Sequence, residues 1–173
     1  MRPDVETDYQ WGRGFLPELK RIAGEHLIGE APEEDDRERA TDLIVLRLDA
    51  VRIACRVRRH EYVGYADEFT LRSGRPSGKK TELRKIVAGW GDYLLYGFAA
   101  ADECRLAQWC LGDLSVFREW RADKQARTHR EPGTERTNAD GTRFRAYRLA
   151  ELPAGFVVAR RGTCPQRRER RAA

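Results

Sequence analysis

No run of about 18 apolar residues occurs anywhere in the 173-residue chain, so no membrane-spanning helix is expected. The opening stretch, MRPDVETDYQW, is polar and acidic and lacks the apolar centre of a signal peptide, which sets a cytoplasmic location as the expectation. Cysteine and histidine are scarce. Cys55, Cys104, Cys110 and Cys164 form no CxxC pair, and His26, His60 and His129 share no metal-ligand spacing with them or with each other. That argues against a zinc site or a disulfide framework and for free thiols. There is no internal repeat.

Charge, by contrast, is abundant. Lys and Arg number 33 against 28 Asp and Glu, a net of +5, and an excess of this sign favours anionic partners, of which nucleic acid is the commonest. Arginine and alanine usage in a GC-rich genome would raise the same totals, so position matters more than the sum. The length suits one domain over residues 1–163. Residues 164–173, with Arg167, Arg168, Arg170 and Arg171 and nothing to bury, read as a disordered basic tail.

The chain is organised around Thr41 to Tyr62, TDLIVLRLDAVRIACRVRRHEY. Two β-rich runs flank Asp49-Ala50, which predicts an antiparallel hairpin entered at Asp42. With a two-residue turn, Asp42, Ile44, Leu46, Ile53, Cys55 and Val57 share one face and Arg47, Arg52, Arg56 and Arg58 the other. A three-residue turn reverses that parity. Both registers stay open.

Around it, Trp11 to Leu27 carries Phe15, Leu16, Leu19, Ile22, Ala23 and Leu27 at helical spacing, with Pro17 suited to a first turn. Gly29 to Arg39 reads as an acidic loop. Asp67 to Arg72 predicts a strand, and Ser73 to Lys80 a Gly- and Pro-containing loop with Arg75, Lys79 and Lys80. Thr81 is placed to cap a helix starting at Glu82, and Gly89 and Gly91 to stop it. Strands follow at Asp92–Ala99 and Leu106–Leu111. Asp113 caps a helix from Leu114, a polar loop follows Ala126, and short strands return at Phe144–Leu149 and Phe156–Arg161 after an Asp140-Gly141 turn. The pattern is a mixed α/β or α+β fold.

The succession of helix, acidic loop, Asp42 at a strand start, IACRVRRHEY, strand, helix and strand resembles the αβββαβ core of PD-(D/E)xK nucleases, the superfamily of restriction endonucleases and Holliday-junction resolvases. The run FTLRSGRPSGKKTELRKIVAGWGDYLLYGFA is similar to uncharacterised bacteriophage and prophage proteins. The resemblance spans roughly Phe15 to Ala99. It implies a single nuclease-like domain with C-terminal additions, acting in the host cytoplasm on nucleic acid, DNA above all, with Mg²⁺ as cofactor if active.

That superfamily holds its metal with the strand-opening Asp and a carboxylate on the next strand, followed two residues on by Lys. Asp42 matches the first position. The others fall at Cys55 and Val57, or at Arg56 and Arg58, and neither pair supplies a carboxylate; a thiol suits a hard cation poorly. The resemblance offers replacements: Glu82 as the second ligand, Glu18 as an outer one, and Lys79, Lys80 or Lys85 as the cation. Glu82 is equally accounted for as an acid favoured in a first helical turn.

Arg52, Arg56, Arg58, Arg59 and Arg72, with Arg75, Lys79 and Lys80, fall on neighbouring predicted strands and the loop after them. They predict one basic face for a phosphate backbone. Pairing with the acidic loop would hide it. Trp90, Tyr93, Tyr96 and Phe98 read as core. Two functions stand: a nucleic-acid-acting protein, as a Mg²⁺-dependent nuclease with Asp42, Glu82, Glu18 and Lys85 at its centre, or an inactive accessory module binding nucleic acid or a host protein. A homodimer is compatible with either.

Overall fold

The computed structural model describes residues 5–30, 43–45 and 51–161. Two helices open it, α1 (Val5–Arg13) and α2 (Leu16–Leu27). The expected single helix is broken at Gly14-Phe15, where Gly14 and Phe15 donate to the carbonyls of Trp11 and Gly12 in a tight turn. Pro17 sits in the first turn of α2, where its missing N–H leaves no helical bond unmade.

The strands are β1 (Ile28–Glu30), β2 (Leu43–Val45), β3 (Ile53–Arg58), β4 (Glu68–Gly74), β5 (Tyr93–Ala99), β6 (Leu106–Asp113), β7 (Thr134–Thr137), β8 (Arg143–Arg148) and β9 (Val157–Arg161). Two further helices are α3 (Glu82–Val87) and α4 (Leu114–Thr128), and a 3₁₀ helix spans His60–Tyr65. Three sheets result: β1-β2, a four-stranded β3-β5-β6-β9 and a three-stranded β4-β8-β7. The chain is a mixed α+β protein.

The expected hairpin is not what these strands make. β2 pairs antiparallel with β1, and β3 pairs in parallel with β5, Ile53 opposite Tyr93 through Arg58 opposite Phe98. Alternation and β-branching mark a strand but leave its partner open. Here the partner is fixed at one end by Asp92. Its carboxylate accepts the Arg52 N–H at 2.8 Å, and its own N–H donates to the Arg52 carbonyl at 2.8 Å. The Asp49-Ala50 turn and Asp42 lie outside the described residues.

Strand periodicity divides the core. On one face of the four-stranded sheet, Leu95, Ala99, Leu106 and Leu111 meet Phe15, Leu19 and Ile22 at the start and along the length of α2. On the other, Leu94, Tyr96 and Phe98 meet Phe69 and Leu71 of β4, Leu83 and Ile86 of α3, Phe117 of α4, Tyr147 of β8 and Phe156. Gly112 has no alternative in β6, since a Cβ there would lie 2.3 Å from the Phe156 ring. Asp113 caps α4 as expected, accepting from the Ser115 N–H at 2.7 Å and from Val116. Thr81 caps α3 through the Arg84 N–H.

Candidate nucleic-acid interface

The site begins with β3. Within the strand, Ala54, Arg56 and Arg58 share the parity of the face that carries the aromatic core, while Ile53 and Val57 pack toward α2. Arg56 is thereby aimed at α3 and the β4–β8 pair. Its Nη1 donates to the Glu82 carboxylate at 2.6 Å, and its guanidinium lies 5.4 Å from the centre of the Phe144 ring.

Arg72 reaches the same place from β4, opposite Phe144 in the β4–β8 register. Its guanidinium is 5.5 Å from that ring, and its backbone N–H donates to Glu82 at 3.2 Å. Arg72 Nε is buried and makes no hydrogen bond among the described residues. Burial lowers the Arg72 pKa from its ordinary value, and neighbouring Arg75 and Arg56 push the same way, against Glu82 and Asp140. Arg72 thus feels two neighbouring guanidiniums and two carboxylates.

The loop from Arg75 to Lys80 is exposed throughout. Its Pro76 packs 3.3 Å from the position a Cβ would take at Gly141, which ties the loop to the turn between β7 and β8. Arg75, Lys79 and Lys80 therefore extend outward from the Arg56–Arg72 pair.

Other predicted contacts distribute along β3. Arg52 is exposed, with its guanidinium 5.9 Å from the ring of Trp90, and Arg58 lies 4.4 Å from the ring of Tyr62. Arg59, of opposite parity, sits 4.5 Å over Trp11 and 3.4 Å from Glu103, on the α1 side. It is not part of the Arg56–Arg72 cluster.

The expectation for the aromatics needs correction. Tyr96 and Phe98 are core residues, and Tyr93 packs half-buried toward α2, but Trp90 is 64% exposed. Gly89 and Gly91 stop α3 as expected, with φ of +92° and +83°, and the chain reversal they permit leaves the indole outside. Sequence reading also missed Phe144 as the surface beneath two arginines. Its place opposite Arg72 follows only from the β4–β8 register.

Of the residues proposed for a metal site, the described ones, Glu82, Glu18 and Lys85, do not come together. Glu82 is engaged by Arg56 and by the Arg72 N–H. Glu18, on α2, accepts the Leu106 N–H at 2.7 Å, and α2 and α3 cover opposite faces of the four-stranded sheet. Lys85 is exposed on α3. Among the described residues no three His, Cys, Asp or Glu side chains form a group able to hold a metal ion. Asp42 lies outside those residues.

A separate cleft of about 280 Å³ opens between the ends of the two larger sheets, with Asp67, Tyr96, Cys110, Arg148 and Arg160 among its walls. Burial raises the Cys110 thiol pKa to about 11, which keeps it protonated and unreactive near neutrality. No described helix is long and apolar enough to cross a membrane. No family model, curated protein or solved structure matches the chain.

Proposed function

We propose that the protein binds nucleic acid through a basic surface centred on Arg56, Arg72 and Arg75 and extended by Lys79, Lys80, Arg52 and Arg58. The observation that carries this reading is the arrangement at Glu82. One carboxylate is shared by two arginine residues whose guanidiniums lie near a single ring, with the charge of a third acting on Arg72. Among the described residues the positive charge around Arg72 exceeds the negative, and guanidinium groups suit bidentate contact with phosphate oxygens.

The accessory-module form of this reading has more support than the nuclease form. A Mg²⁺ ion at Glu82 would have to displace the Arg56 guanidinium, and β2 and β3, expected as one hairpin, pair instead with β1 and β5. Among the described residues no group able to hold a metal ion forms, and binding does not need one.

The test is affinity against salt. Each phosphate neutralised contributes roughly −0.9 to the log–log slope on duplex DNA and about −0.7 on a single strand. Replacing Arg75, Lys79 and Lys80 together with Gln, all three exposed, should weaken binding and shallow the slope by about two units on a single strand and nearly three on a duplex. Absence of binding at low salt would end the proposal. Cleavage by the wild type with Mg²⁺ or Mn²⁺ that is lost in both Asp42→Asn and Glu82→Gln would restore the nuclease form.

A further inference from the structure

Arg52, Arg56 and Arg58 share one parity along β3, and each lies against an aromatic ring: Trp90, Phe144 and Tyr62 in turn. At a rise of about 3.3 Å per residue, the line from Arg52 to Arg58 is roughly 20 Å long. The rings at its two ends are open to solvent, Trp90 at 64% and Tyr62 at 38% exposure. Large apolar rings are exposed here at a cost, and each is accompanied by a cation instead of a second ring.

Resting on the nucleic-acid reading above, we propose that the preferred ligand is a single strand, whose bases stack at Trp90 and Tyr62 while its phosphates run along Arg52, Arg56 and Arg58. The chemistry separates the two forms of nucleic acid. A duplex offers phosphates to the arginines, but its bases are already stacked on each other and cannot reach the rings. An unpaired strand offers both, and every base has a face to lay on an aromatic ring or a guanidinium plane. A track of this length accommodates the backbone of a few nucleotides of an unpaired strand. Sequence preference is not expected, because stacking accepts every base.

The test uses one fluorescein-labelled mixed-sequence 12-mer, free and annealed to its complement, titrated with the full chain at low salt. Single-strand binding at least ten-fold tighter than duplex binding is expected. Trp90→Ala should weaken the single-strand complex by roughly ten-fold and leave the duplex complex nearly unchanged, while Trp90→Phe retains most of the affinity. Because Trp90 is exposed, its removal leaves the fold intact, which circular dichroism will verify. Equal or tighter duplex binding, or single-strand affinity indifferent to both Trp90→Ala and Tyr62→Ala, overturns the single-strand inference and leaves the phosphate-binding reading standing. No binding to either form overturns both.

Discussion

Aromatic rings serve this protein in two different surroundings. Phe69, Phe117, Tyr147 and Phe156 face one another: Phe69 is stacked on Tyr147 and Phe156 with centroids 5.4 Å apart, and Phe117 meets Tyr147 edge-on at 4.9 Å. Along β3, by contrast, Trp90, Phe144 and Tyr62 face guanidinium groups. The first group excludes water and holds α4 and β8 to the sheet. The second leaves Trp90 and Tyr62 open to solvent beside their cations, while the Arg56–Phe144 pair is partly covered. What a ring meets, more than how many rings a segment has, separates packing from recognition.

Mutations can break that contrast, and stability measured by denaturant unfolding reads it directly. Phe117 is fully buried at the centre of the ring cluster, so Phe117→Ala should cost about 3 to 5 kcal/mol. Gly112→Ala tests the same cluster by overfilling it, because the new Cβ meets the Phe156 ring; a loss of about 1 to 3 kcal/mol is expected. Asp113→Ala removes the cap that joins β6 to α4 and should cost about 1 kcal/mol, with Asp113→Ser recovering most of it. Trp90→Ala should change stability by no more than about 0.5 kcal/mol. An unfolding midpoint that drops as far for Trp90→Ala as for Phe117→Ala would erase the distinction.

Much of the regular structure was legible before the fold was known. Thr81 and Asp113 cap the helices they were expected to cap, and β4, β5, β6, β8 and β9 stand where apolar alternation put them. β7 was not legible, because its four residues, TERT, carry no apolar side chain; it exists by pairing with β8. Nor was the partner of β3, which depends on a carboxylate 40 residues away.

The candidate site was legible as a set of charges and not as an arrangement. Arg56 and Arg72 both reach Glu82, Arg56 as an ion pair and Arg72 through its backbone N–H, and Arg75 lies near enough to act on Arg72 by charge. Arg59 was grouped with them and belongs elsewhere, since one step along a strand reverses the side-chain direction. Proximity in sequence to Tyr96 and Phe98 puts Trp90 in the core on paper, but the sheet buries only those two, and the positive-φ glycines flanking Trp90 turn it outward.

The parallel pairing of β3 with β5 also bears on how the chain acquires its shape. β5 and β6 are joined by a short connection and can zip together locally, whereas β3 must wait until β4, α3 and the residues between them have been spanned. Closing a loop of that length is a loss of chain entropy that no intermediate hydrogen bond of the same ladder repays. During synthesis the β3 segment leaves the ribosome well before its partner exists, with Ile53 and Val57 uncovered. The Asp92 carboxylate then acts as the latch that closes late: Asp92→Ala should speed unfolding more, and slow refolding less, than a mutation of equal cost in the β5–β6 hairpin.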